Sequence, residues 1–200
     1  MKKVLAGLCM AAGMAGFSGM ALADNSGFYV VGAVGQVRGV SKSNTDASLT
    51  ALGATGFVSN MNSNATAFKL LAGYQLNTNF AIEGGYVDVG KFDYTATGGN
   101  LISPVSLSSK VTGWGLGAVG ILPVTSQFGA LGKLGVARVN ASCSSSANVV
   151  ASCPSKTDLT YGLGVKYDLT SAVSLRGDWD SYKGVSQRAN VWTVGVGYKF

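Results

Sequence analysis

The sequence predicts an all-β chain folded as an eight-stranded antiparallel up-and-down transmembrane β-barrel. Three observations carry that prediction. About eight segments of roughly 10–12 residues alternate apolar residues with small or polar ones at period two. The connections between them are tight turns on one side and long stretches rich in Ser, Asn, Thr and Gly on the other. Beyond the N-terminus no run approaches the roughly 18 apolar residues of a spanning helix, although 47% of the chain is hydrophobic and only 12% is charged.

Residues 1–23 are read as a cleaved secretory signal. "MKK" is a positive start, "VLAGLCMAAGMAGF" an apolar run, and "ALA" at 21–23 a small-x-small cleavage site, which makes 24–200 the mature barrel. A retained anchor fits less well, because small residues and the cleavage site favour removal. Cys9 does not make a lipoprotein site, since Leu8 stands where a small residue is needed. The expected strands are 27–37, 66–76, 80–89, 111–122, 128–139, 159–167, 173–182 and 191–200. Residues 77–79, 123–127 and 168–172 form the tight turns, while 38–65, 90–110, 140–158 and the shorter 183–190 form the loops. Both ends of such a barrel lie on the short-turn, periplasmic side.

The alternation assigns faces. In the last strand Trp192, Val194, Val196, Tyr198 and Phe200 share one face, and Val191, Thr193, Gly195, Gly197 and Lys199 the other. Segments 66–76 and 159–167 repeat the rule of large apolar residues against Gly and polar ones. A soluble exported lipocalin-like binder would turn the apolar face inward. The glycines argue for the reverse, since a narrow barrel has little interior room and lipid then meets the large side chains. Aromatics gather near both strand ends, as interfacial belts do: Tyr29, Tyr74, Phe80, Phe128, Tyr167, Tyr198 and Phe200 on the turn side, and Phe68, Tyr86, Trp114, Tyr161, Trp179 and Trp192 on the loop side.

Parity sends Lys69, Glu83, Lys133, Lys166, Arg176, Asp178, Asp180 and Lys199 into the lumen. Buried charges must be paired or hydrated, so a salt-bridge network is expected around Glu83, Arg176, Asp178, Lys133 and Lys166. Cys143 and Cys153 are the two cysteines of the mature chain, and in an exported protein they are expected to form a disulfide.

No catalytic centre, metal site or cofactor is expected. The chain has no His, the commonest general base and metal ligand. "GLGAVG" (115–120) has the glycine spacing of a dinucleotide loop but is followed by a turn instead of a helix. "GYVDVGKF" (85–92) misses a phosphate loop because Phe92 replaces the hydroxyl residue. The net charge of +6 is spread out, which argues against nucleic acid as a partner.

Five stretches taken in order resemble the OmpA-like transmembrane domain family of small Gram-negative outer-membrane barrels: "GFYVVGAVGQ", "FAIEGGYVDVGKF", "VGILPVTSQFGALGKLGV", "LGVKYDLTSAVSLRGDW" and the terminal "GVGYKF". The resemblance covers nearly the whole mature chain, without that family's peptidoglycan-binding domain. It implies that Phe200, supported by Tyr198, is the signal read by the barrel-assembly machinery. It also implies that the lumen network plugs the barrel or gates a small conductance, with Glu83 and Arg176 at matching positions. Lys166 departs from the pattern by standing where an acid is usual. The expected function is a structural or surface role in the outer membrane, with a narrow gated channel as the alternative. Expected partners are outer-membrane lipid and lipopolysaccharide, the latter through Arg138 and Lys110, together with host or phage surface ligands of the loops.

Overall fold

The computed structural model describes residues 26–38, 42–62, 65–145, 155–183 and 188–200. The expected signal segment and Cys153 lie outside them. The elements run β1 (Gly27–Arg38), α1 (Lys42–Ala51), β2 (Val58–Asn62), β3 (Thr66–Gln75), β4 (Phe80–Thr97), β5 (Val105–Pro123), β6 (Phe128–Ser145), β7 (Lys156–Asp168), β8 (Val173–Lys183) and β9 (Arg188–Lys199). Eight strands pair antiparallel with their sequence neighbours, skipping β2. The ring closes where β9 meets β1, from Tyr29↔Lys199 to Arg38↔Asn190. β2 stands outside the ring and pairs with the upper end of β4.

The three tight turns share one local solution. "LNTNF", "VTSQF" and "LTSAV" each place Asn or Thr after an apolar residue. Asn77 Oδ1 accepts from the Asn79 and Phe80 amides, at 2.8 and 2.9 Å. Thr125 Oγ1 accepts in the same way from Gln127 and Phe128, and Thr170 Oγ1 from Ala172 and Val173. A short side chain thus satisfies the amides that the turn leaves unpaired.

Large apolar side chains face outward. On β9 Val194 is 68% exposed, whereas its neighbour Thr193 is 4% exposed. On β7 Leu159, Tyr161, Leu163, Val165 and Tyr167 all point away from the lumen. This orientation removes the soluble-binder reading, which needs the apolar face inside. Aromatic pairs mark both belts: Phe28–Tyr74 and Tyr198–Phe200 at the turn side, with centroids 4.8 and 5.1 Å apart, and Tyr86–Trp114 and Trp179–Trp192 towards the loops, at 5.0 and 6.2 Å. Tyr29 corrects the sequence reading. It faces the lumen, and its neighbour Phe28 takes the belt position.

The expected loops also give residues to strands: 140–145 extend β6, 156–158 begin β7, and 188–190 begin β9. Residues 90–97 and 105–110 continue β4 and β5, because the pairing of the two strands shifts between Asp88 and Gly90. Gly90 has φ +87° there and donates its amide to Asp88 Oδ1 at 2.9 Å. A side chain at Gly90 would meet the Thr66 carbonyl at 2.7 Å. The extra residue of the bulge flips the parity, so Phe92, Tyr94 and Ala96 continue the buried face of Val87 and Val89. That flip broke the alternation in the sequence. The 38–65 stretch likewise holds α1 and β2.

β4, β5 and β6 are 18, 19 and 18 residues long. A membrane crossing takes about 9–11, so they rise roughly 25 Å beyond it at about 3.3 Å per residue. Together with β2 they form a platform with its own core of Leu49, Ala54, Tyr94, Ala96 and Val105. α1 ends in a Schellman turn, with Ala54 donating to the Leu49 carbonyl and Gly53 to that of Thr50. Asn100, at the β4–β5 tip, accepts from the Thr55 amide at 2.8 Å and donates to the Gly53 carbonyl at 2.8 Å. Tyr94 donates its hydroxyl to Asp46 Oδ1 at 2.6 Å, pinning α1 to β4.

Burial and the Asp46 carboxylate push the Tyr94 phenol up to about 12, and the donated hydroxyl holds the Asp46 carboxyl below its ordinary value. A depressed carboxyl stabilises the fold above its unfolded pKa, about 3.9, and that contribution is lost as pH falls through the lowered value. Acidification from pH 5 towards 3 should therefore raise amide hydrogen exchange in α1 before the barrel strands. In Asp46→Asn this pH step should vanish; its persistence would assign the step to another group.

Candidate functional site

The "RGDWD" stretch of β8 builds the centre of the lumen. Period two turns Arg176, Asp178 and Asp180 inward, all buried, and sends Gly177 and Trp179 outward. Their partners come from across the barrel. Lys69 of β3, 1% exposed, bridges Asp178 at 2.9 Å and Asp180 at 2.6 Å. Lys133 of β6 bridges the same two carboxylates, each at 2.9 Å. Arg176 grips Glu83 of β4 with both terminal nitrogens and reaches Asp178 through Nε at 3.0 Å. Tyr29 of β1 donates its hydroxyl to Glu83 at 2.7 Å.

The cluster is electroneutral, with Lys69, Lys133 and Arg176 against Glu83, Asp178 and Asp180. Asp178 is its hub, in contact with all three cations. Glycine makes the room. A Cβ at Gly162 or Gly164 of β7 would collide with the carboxylate of Asp180 or Asp178. The network ties β8 to β3, β4 and β6, none of which pairs with it through the backbone.

Of the five residues expected in the network, Glu83, Arg176, Asp178 and Lys133 meet. Lys166 does not. It lies directly opposite Arg176 in the β7–β8 register, where like charges repel, and pairs instead with Asp168 at 3.0 Å. Three network members lay outside that expected set. Lys69 and Asp180 were legible as inward-facing, but which inward residues meet across a lumen depends on barrel stagger, which parity does not encode. Tyr29 reads from the sequence as a belt residue, because its ring lies near a strand end.

On the loop side of the network lies a buried apolar cluster of Val37, Ala65, Ala67, Val87, Val89, Phe92 and Val191. Below it a cavity of about 490 Å³ opens towards the turns. Lys166, Asp168 and Lys199 stand among its lining, and Glu83 and Arg176 also reach it. Lys110, expected to meet lipid phosphate, pairs with Asp88 at 3.1 Å. Cys143 lies on β6 with Sγ 3.7 Å from Ser109 Oγ. The expected bridge ends at Cys153, outside the described residues.

A closed ring of eight strands with an apolar outer wall, two aromatic belts and a charged lumen defines a membrane-spanning β-barrel protein. The profile of the outer membrane protein beta-barrel domain matches residues 9–200, and the chain belongs to that family. Its place is the outer membrane of a Gram-negative bacterium. Among solved structures it is similar to Neisserial surface protein A, at 18% identity over 88% of this chain and 100% of that one, with a TM-score of 0.56. Ail, the attachment invasion locus protein of Yersinia pestis, gives 18% identity over 88% and 98%, with a TM-score of 0.53. OprG of Pseudomonas aeruginosa gives 17% identity over 88% and 93%, also at 0.53. At these identities the likeness is one of fold. No curated protein matches the sequence.

Replacing Lys69 with Met should leave Asp178 and Asp180 facing each other with one cation fewer. Breaking a buried pair from one side costs about 3–5 kcal/mol. Urea unfolding in lipid vesicles measures this, and a loss below about 1 kcal/mol, the worth of an exposed pair, would mean that water already screens the site.

Proposed function

We propose that this is a non-enzymatic surface protein whose barrel serves as a plugged anchor and whose α1–β2–β4–β5–β6 platform makes the functional contacts. The observation that carries the reading is the platform itself. It has a hydrophobic core separate from the lumen and a dedicated clamp at Asn100. A loop with no task does not need a core. Leu52, Val58 and Ile102 remain exposed on it, at 72%, 74% and 106%, which suits contact with another surface. The names of Ail and Neisserial surface protein A point the same way. The plug reading rests on the neutral network together with the apolar layer above it.

A narrow channel is the second reading. It is favoured by the turn-side cavity, which brings solvent up to the Glu83–Arg176 pair. One paired assay separates the two. Cells carrying the barrel with residues 42–62 replaced by a short Gly/Ser linker should lose attachment to host cells, while the purified parent shows no discrete openings in a planar bilayer. Undiminished attachment would sink the platform reading. Openings in the parent that change in Glu83→Ala and Arg176→Ala would establish the channel.

We also infer that Tyr198 and Phe200, stacked edge-on at the turn-side end of the outer wall, form the signal for the assembly machinery. Deleting Phe200 should lower the folded fraction recovered from outer membranes several-fold. Unchanged recovery, read from the unboiled gel shift, would end that assignment.

A further inference from the structure

The turn side of the lumen holds charge that the central network does not absorb. Glu83 and Asp178 already occupy the guanidinium of Arg176. Two further cations line the turn-side cavity, Lys166 of β7 and Lys199 of β9, against the carboxylate of Asp168. Lys166 pairs with that carboxylate at 3.0 Å. Lys199 has no carboxylate partner among the described residues, and the charges near enough to act on it are Lys166 and Asp168. Two cations against one acid leave the cavity a surplus of +1. Lys166 also lies opposite Arg176 in the strand register, a like-charge contact that an anion between them would relieve.

The backbone beneath these cations is fixed, and room is kept around them. The Lys199 amide donates to the Ala172 carbonyl and the Asp168 amide to that of Gln127, each at 2.8 Å. On the inward face of β9, Gly195 and Gly197 leave the wall bare between Lys199 and the network. Gly129 of β6 stands opposite Lys166 and carries no side chain to cover it. The facing wall has another character. β5 lies four strands from β9 in either direction round the ring. It presents Val119 and Ile121, which pack with Leu131 of β6. One wall is therefore cationic, and the wall across from it is hydrocarbon. Uncharged turn residues, Ser126, Gln127, Thr170 and Ser171, form the mouth between them.

We propose that this cavity binds a small monocarboxylate with a short apolar body, entering from the turn side, with its carboxylate on Lys199 and Lys166 and its body against Val119, Ile121 and Leu131. One surplus cation matches one negative charge, which favours a carboxylate over a phosphate dianion. Two ammonium groups on flexible stems can reach a common anion from separate strands. The volume of about 490 Å³ lies within the roughly 300–1,000 Å³ of small-molecule sites. At the inner end Glu83 and Arg176 satisfy each other, so the ligand's charge is drawn to the lysines. The site needs only the barrel and its open turn side. It does not depend on what the loop-side platform contacts or on whether the lumen conducts.

The test is an amide NMR titration of the folded barrel in lipid nanodiscs with hexanoate, using acetate and hexanol as matched probes. Hexanoate should give saturable shifts confined to the turn-side ends of β6, β7 and β9. Acetate keeps the charge without the body and should bind at least about tenfold more weakly. Hexanol keeps the body without the charge and should give no saturable shift there. Lys199→Gln and Lys166→Gln should each weaken hexanoate binding about tenfold, as loss of a charge-assisted contact does. Lys110→Gln, paired with Asp88 on the loop side, should leave it unchanged. The unboiled gel shift confirms that each variant is folded, and the Lys166 variant carries the test if the Lys199 one assembles poorly. No saturable shift in the parent, or binding that the lysine variants leave intact, would overturn the site. Equal binding of acetate would overturn the apolar contact, and equal binding of hexanol the carboxylate.

Discussion

The hydrogen-bonded seam between β9 and β1 is the contact on which the rest of the molecule depends. In hydrocarbon no water is present to satisfy an open strand edge, and each unpaired backbone group costs several kcal/mol. Once the seam from Tyr29↔Lys199 to Arg38↔Asn190 is made, the side-chain alternation of every strand divides into a lipid wall and a lumen. Both the aromatic belts and the charged interior are consequences of that closure. It also accounts for the outward apolar wall, which a soluble protein would have to bury.

Closure creates a second demand. Eight strands leave an interior too narrow for a large apolar core, and the charges turned inward cannot all stay hydrated. Glycines on the lumen face of β7 let the carboxylates of Asp178 and Asp180 lie against the wall. Cations from three other strands then reach them. The resulting ties run across the barrel between strands that share no backbone bonds, so the network braces the cylinder. The same cluster sits between an open turn-side cavity and an apolar layer.

The bulge at Gly90 separates the membrane part from the surface part. By inserting one residue it bends β4 and keeps Phe92, Tyr94 and Ala96 on the buried side. β4 and β5 can then continue beyond the bilayer with a face for α1 to cover. Through Tyr94 and Asn100 that platform becomes an ordered surface. The membrane part of β4 and its extension beyond the bilayer are thus joined by one local backbone irregularity.

Much of this was legible in the chain. Period-two patterning and turn chemistry determine the eight barrel strands, their faces and the three short turns, because each depends only on residues adjacent in sequence. The inward direction of Lys69, Glu83, Arg176, Asp178 and Asp180 follows from the same parity. α1 was not legible, since "KSNTDASLTA" offers only Leu49 as a large apolar residue and the helix is held by Tyr94 and the platform core. The upper halves of β4 and β5 were hidden by the parity flip at Gly90. The partners within the lumen, including the exclusion of Lys166 and the recruitment of Tyr29, were decided by the tertiary structure alone. Parity states which way a side chain points, but the stagger of a closed barrel sets its height and therefore which charge it meets.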